Sequence, residues 1–226
     1  MKLIHILLLA CALVGTSLQS ATAATAQGPT VWLVRELAKA PTDTLPLRDA
    51  RDRVVKTIPS SQAVYLYAVF TGLLEAAELE AEFYLIEGKD PNAMATLGEK
   101  GENVIVINFA MLDLLGDDLH ALAAVIGHEM AHLKLDHYQD KVDALQRNQD
   151  SMITAANTKY SRDNEREADY LGMIWSIEAG YDPEGAVRAQ EALYKLARHG
   201  GMFVGSHPSS IERITVLKSL ARRLKK

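Results

Sequence analysis

The sequence predicts an α+β domain, mainly helical, with a small three-stranded sheet and one central, largely buried helix. Three observations lead there. Period-two alternation from Leu79 to Ile86 is followed by two short strand-like stretches, "NAMAT" and "ENVIVINF". Beyond Leu112 the apolar residues recur at helical spacing instead. Finally, the helix expected from about Asp117 to His137 has apolar or small residues around most of its circumference, interrupted by "HEMAH" at 128–132, so those polar side chains need buried partners.

With 226 residues, 48% hydrophobic and 23% charged, the chain can bury one domain and still present an ordinary polar surface. A net charge of −5 excludes the basic excess of a nucleic-acid-binding surface. The basic end "ARRLKK" reads as a solvated helix terminus, where cations suit the macrodipole.

Residues 1–26 read as an export signal: Lys2, an apolar run from Leu3 to Val14, and small-residue "ATA" sites at 21–23 and 24–26. The run is shorter than the roughly 20 residues a bilayer span needs, and no transmembrane run follows it. Removal leaves residues 27–226 as a single domain. "LLAC" at 8–11 offers a second reading, lipid attachment at Cys11. Cys11 is the only cysteine, so ordinary cleavage leaves a chain without thiols, and any metal must be held by histidine and carboxylate.

Pro29, Pro41 and Pro46 then bracket a short expected helix, "VWLVRELAKA" at 31–40. Residues 47–78 read as helix interrupted near Pro59. The three strands follow, with "EGKDPNA" turning the chain between the first and second. On the central helix, at about 100° per residue, His128 and His132 lie about 40° apart along the border of the apolar stripe. Ala123, Gly127 and Ala131 cover much of the opposite side, which suits close packing there too.

Histidines at i and i+4 stack on one helix face, so the imidazoles of His128 and His132 can converge on one Zn²⁺. Glu129, beside them, can take a proton from a water at that site without being a ligand. A third ligand comes from "SRDNEREADYLG", where Glu165 and Asp169 share a face of a helix opened by Ser161 or Asp163. Glu165 is expected on zinc and Asp169 on the outer nitrogen of a ligand histidine, with Glu167 turned to the surface. The same face continues through Gly172 and Ser176, allowing another helix to come close. His137 reads as a helix-terminal histidine and His120 as its counterpart at the other end. In "SHPSSIERITVL", Pro208 suits a first turn and Ser209 to Glu212 reads as a capping box. Arg213 falls inside that helix's apolar arc and so needs a carboxylate or carbonyl partner. His207, at the helix start, is placed either to reach the metal or to stabilise an oxyanion together with Arg213.

These residues resemble the gluzincin metallopeptidases of the HtpX and CAAX-prenyl-protease type, metallopeptidase family 48. "PNAMA" 91–95, "HEMAH" 128–132, "EREAD" 165–169, "AGYDPEGA" 179–186 and "HPSSIER" 207–213 carry the resemblance, in that order, over about Leu79 to Leu217. It implies a zincin-like metallopeptidase domain with His128, His132 and Glu165 as zinc ligands, Glu129 as general base and Asp169 behind a ligand histidine. It also implies substrate binding by strand addition near "NAMA". The membrane spans of many members are missing, which suggests a soluble, exported, periplasmic form acting on misfolded or misassembled envelope polypeptides, alone or with assembly machinery. The alternative is a zincin-fold chaperone or assembly factor with a structural metal, against which the presence of Glu129 argues. A deformylase-like amide hydrolase would need a cysteine ligand.

Overall fold

The computed structural model describes residues 30–137, 162–198, 207 and 210–225. The expected signal at 1–26, Cys11, Ser161, Pro208 and Ser209 lie outside the described residues. Strand β1 (Val31–Leu33) leads into a one-turn helix α1 (Val34–Leu37) and a hairpin, β2 (Thr44–Arg48) and β3 (Val54–Pro59). Helix α2 (Ser60–Ala77) precedes β4 (Glu82–Ile86), β5 (Ala93–Leu97) and β6 (Asn103–Asn108). Helices α3 (Phe109–Leu115), α4 (Leu119–Lys134), α5 (Arg162–Glu178), α6 (Glu184–Arg198) and α7 (Ile211–Leu224) complete the described chain.

The expected mainly helical α+β architecture is present, and all three expected strands form. They are joined by β1 in a four-stranded sheet of order β1-β4-β6-β5. β1 and β5 run antiparallel to their neighbours, whereas β4 and β6 are parallel. Alternation decides the two faces: Phe83, Leu85, Ile105 and Ile107 enter the main core, and Tyr84, Val104 and Val106 form a smaller cluster on the other side. Phe70 of α2 stacks on Phe83 with ring centroids 5.0 Å apart, fixing α2 against the sheet.

Two stretches differ from expectation. Residues 31–33, expected as the start of a helix, pair with β4, so the helical part of "VWLVRELAKA" is confined to 34–37. Residues 44–59, expected to be mostly helical, form the β2–β3 hairpin. Leu45 and Leu47 are buried between exposed Thr44, Pro46 and Arg48, a period-two pattern. The Asp49 carboxylate accepts the backbone N–H groups of Arg51 and Arg53, each at 2.9 Å, and Asp52 adopts a left-handed φ of 62°, so the turn is locally specified.

Helix α4 begins where Asp118 accepts the Ala121 N–H at 3.0 Å, and every residue from Ala121 to His132 is buried. Helix α5 crosses it at two glycines. A Cβ on Gly172 would lie 2.6 Å from the His128 nitrogen, and one on Gly127 would lie 2.9 Å from the Gly172 carbonyl oxygen. No side chain fits between the backbones there, which brings carboxylates of α5 within reach of histidines of α4. "AGYDPEGA" closes the arrangement. Gly180 turns the chain at φ +87°, Asp182 caps Glu184, and the Asp182 N–H donates to Nδ1 of His120 at 3.1 Å. His120 therefore joins the start of α4 to the α5–α6 turn, a more specific contact than that of a histidine at a helix end.

Gly172→Ala forces the two backbones apart. It should lower stability by roughly 2 kcal/mol or more, measured by urea unfolding of the metal-free protein. It should also weaken metal binding at the site described next, because the same contact sets the spacing of α4 and α5.

Candidate metal centre

The i, i+4 spacing on α4 places His128 and His132 side by side, with Nε2 atoms 3.1 Å apart. From α5, Glu165 brings Oε1 to 3.7 Å from His132 Nε2 and Oε2 to 3.5 Å from His128 Nε2. His207, ahead of α7, brings Nδ1 to 2.8 Å from Glu165 Oε1 and 3.2 Å from His128 Nε2. One ligand-type atom from each of His128, His132, Glu165 and His207 thus lies within 4.8 Å of all the others.

The outer nitrogens decide what the inner ones can do. His128 Nδ1 is 3.1 Å from Asp169 Oδ1, and His132 Nδ1 is 2.9 Å from His137 Nδ1. When these outer nitrogens carry the ring protons, the inner Nε2 atoms present lone pairs to each other, an arrangement that a shared cation stabilises. Three imidazoles and a carboxylate, without sulfur, are a donor set suited to a tetrahedral divalent ion. The residues present fit a metal.

Arg213 ties the acidic side together. Its Nε and Nη2 donate to the two oxygens of Asp169 at 2.9 and 2.6 Å, and its Nη1 lies 2.6 Å from Glu165 Oε2. The expected carboxylate partner is thus two carboxylates. All three guanidinium nitrogens are engaged, so Arg213 is placed to hold Glu165 and Asp169. Burial raises the carboxyl pKa of Asp169, but hydrogen bonds from His128 and Arg213 outweigh it and bring the value down to about 2. Glu165 is likewise lowered: burial opposes ionisation, and the His207 hydrogen bond with the His128, His207 and Arg213 charges overcomes it. For His128, desolvation disfavours the cation, yet Asp169 and Glu165 raise its pKa.

Glu129 lies beside the cluster, 3% exposed, with Oε1 3.6 Å from His207 Nε2. Its Oε2 has no hydrogen-bond partner among the described residues. An apolar pocket opens next to it, lined by Met111, Val125, Met173, Leu193 and Leu217 together with His128, Glu129 and His207.

Two expectations about neighbouring residues change, and a third gains a contact. His137 is not simply a helix-terminal histidine: it is 2% exposed and touches His132. Glu167 is exposed as expected, yet its Oε2 is 3.3 Å from His137 Nε2. Helix α7 is capped by Ser210, whose Oγ accepts the Arg213 N–H at 3.1 Å, one residue later than the expected capping box. Glu212 pairs with Arg166 across to α5, at 2.6 Å.

Comparison with known proteins accords with this geometry. The model of Peptidase family M48 matches residues 60–149 and 144–221. Mitochondrial metalloendopeptidase OMA1 of Schizosaccharomyces pombe is 29% identical over 160 residues, 61% of this chain and 46% of that protein. Metalloprotease YcaL of Escherichia coli is 32% identical over 127 residues, 46% of this chain and 49% of that protein. The OMA1 of Arabidopsis thaliana is 32% identical over 130 residues, 50% of this chain. The alignments span about half or less of these relatives' own lengths.

The Asp169 carboxyl titrates from 3.8 in the unfolded chain to about 2 in the folded one, so the unfolded chain takes up the proton first as pH falls. Its stabilisation is therefore complete above about pH 4 and is lost progressively toward pH 2. In urea melts of the metal-free protein, Asp169→Asn should be less stable than wild type by about 3 kcal/mol at neutral pH. It should also show a flatter dependence on pH across that acid window.

Proposed function

The chain belongs to peptidase family M48, and from that premise we propose that it is a zinc-dependent endopeptidase hydrolysing peptide bonds in exported proteins of the cell envelope. This reading rests on one observation above the others. His128, His132 and Glu165 converge from two helices, and Glu129 stands beside them with a buried carboxylate oxygen that has no hydrogen-bond partner among the described residues. A buried carboxylate in that state is costly unless it has a task.

His128, His132 and Glu165 would hold the metal, with His207 as a fourth donor in the resting site. Zinc held there supplies Lewis acidity, which makes water acidic near neutral pH and polarises a carbonyl. Glu129 takes the proton from water at its carboxylate and returns it to the leaving amine nitrogen. His207 reaches both the ligand cluster through Nδ1 and Glu129 through Nε2. A substrate entering the centre therefore displaces this imidazole from the ligands and leaves it beside the carbonyl oxygen, where it can stabilise the developing charge. Arg213 acts through Glu165 and Asp169, keeping one directed at the metal and the other on His128.

β5 lies at the edge of the sheet, and Ala93 at its start lines the same pocket as His128 and Glu129. An extended polypeptide can add to this edge as a further strand and pass over the centre, with an apolar side chain in the pocket. Among the described residues no helix is long and apolar enough to cross a membrane. The leader pattern of residues 1–26 supports export, which favours a periplasmic enzyme removing misfolded or misassembled proteins, with envelope assembly machinery as a partner. Cys11 offers the lipid-anchored variant of the same placement.

Metal content and casein cleavage, measured in parallel, test this reading. Glu129→Gln should keep its zinc and lose cleavage by about 10²- to 10⁴-fold, and His207→Ala should retain metal and cleave about 10²- to 10³-fold more slowly, because the imidazole that stabilises the developing charge is gone. A Glu129→Gln variant that keeps zinc and retains full biological activity would leave the structural-metal chaperone as the better account.

A further inference from the structure

His137 and Glu167 carry an arrangement that neither the metal cluster nor the proposed proton transfers use. His132 is fully buried and directs Nε2 at the cluster, so its Nδ1 faces away, toward His137. His137, also buried, directs Nδ1 at His132 and Nε2 at the exposed Glu167 carboxylate, at 3.3 Å. Helix geometry alone could not produce this contact. Five residues along a continuous helix amount to a rotation of about 140°, which would carry position 137 away from the His132 face. Instead α4 ends at Lys134, and Asp136 takes a left-handed φ of 55°, turning the chain so that His137 folds back behind His132. Aspartate is one of the few residues besides glycine that adopts this conformation readily.

When His132 acts as a ligand, one set of proton positions serves both of these contacts. Its Nε2 must then present a lone pair, which leaves the ring proton on Nδ1. That N–H donates to His137 Nδ1, which accepts through its own lone pair. The His137 ring consequently carries a proton on Nε2 and donates it to Glu167.

We infer that His137 is a positioning residue for the second histidine ligand, fixing the tautomer and ring orientation of His132 through an imidazole relay that ends on Glu167. Asp169 does the same for His128 by direct contact. The two ligand histidines are thus held from behind by different means, both drawing on α5 for the final carboxylate. The inference rests on the metal-centre reading above.

Its test uses the full chain. Zinc affinity by chelator competition, the visible spectrum of the Co²⁺-loaded protein and the unfolding midpoint of the metal-free protein are compared for wild type, His137→Ala, His137→Asn and Glu167→Ala. His137→Ala should bind zinc about 10- to 100-fold more weakly and shift the Co²⁺ bands. His137→Asn should recover most of the affinity, since its amide oxygen can accept the His132 N–H. Glu167→Ala, an exposed change that leaves the fold intact, should show a smaller loss in the same direction. If His137→Ala changes only the metal-free midpoint, with affinity and spectrum as in wild type, the inference is overturned; equal losses in the Ala and Asn variants would overturn it as well. Should His137→Ala fail to fold, the Glu167 variant decides, a wild-type affinity counting against the relay. A wild-type protein that binds no zinc would instead sink the metal-centre reading itself.

Discussion

The backbone contact between α4 and α5 at Gly127 and Gly172 is the constraint on which the rest of the site depends. Histidines four apart on one helix supply two imidazoles, but a third ligand must come from elsewhere in the fold, and carboxylate side chains are short. Because the two helices meet with no side chain between them, Glu165 and Asp169 reach His128 directly. The remaining elements support that crossing. The sheet and α2 cover one side of α4, and the Asp182–His120 contact holds the α5–α6 turn against the start of α4.

Bringing ionisable groups into such a confined interior creates an electrostatic problem that the histidines and Arg213 resolve together. Two carboxylates with little solvent would favour taking up protons, and a protonated Glu165 would be a poor ligand. Hydrogen bonds from His207 to Glu165 and from His128 to Asp169, together with a guanidinium shared between the two carboxylates, keep both ionised, and the planar fork of Arg213 also fixes their orientation. The cation also has to be anchored. Ser210 caps the helix start at the Arg213 N–H, so the residue carrying the charge is tied into the first turn of α7.

Much of this was legible in the sequence because it depends on helical periodicity, which is local. The spacing of His128 and His132, the shared face of Glu165 and Asp169, the small residues at Gly127 and Gly172 and the misplaced charge of Arg213 all follow from counting along single helices. What was missed depends on departures from periodicity or on pairing with distant segments. His137 escaped because the turn at Asp136 reverses the chain, and an aspartate that permits a left-handed residue is the only signal it leaves. Residues 47–59 read as helix because closely spaced leucines and valines satisfy more than one period, yet they belong to the β2–β3 hairpin, and β1 is a strand only through its pairing with β4. The cap of α7 moved from Ser209 to Ser210 because adjacent serines offer the same hydroxyl.

The central claim is that His128, His132 and Glu165, with His207 at rest, hold one zinc ion beside Glu129. X-ray absorption at the zinc edge of the purified protein tests it most directly. The account requires one zinc per chain in a four-coordinate nitrogen and oxygen shell at about 2.0–2.1 Å, with the outer-ring scattering of three imidazoles. Loss of one imidazole in His207→Ala should follow, with zinc retained. A protein that binds no zinc, or zinc in a six-coordinate all-oxygen shell without imidazole scattering, would contradict it.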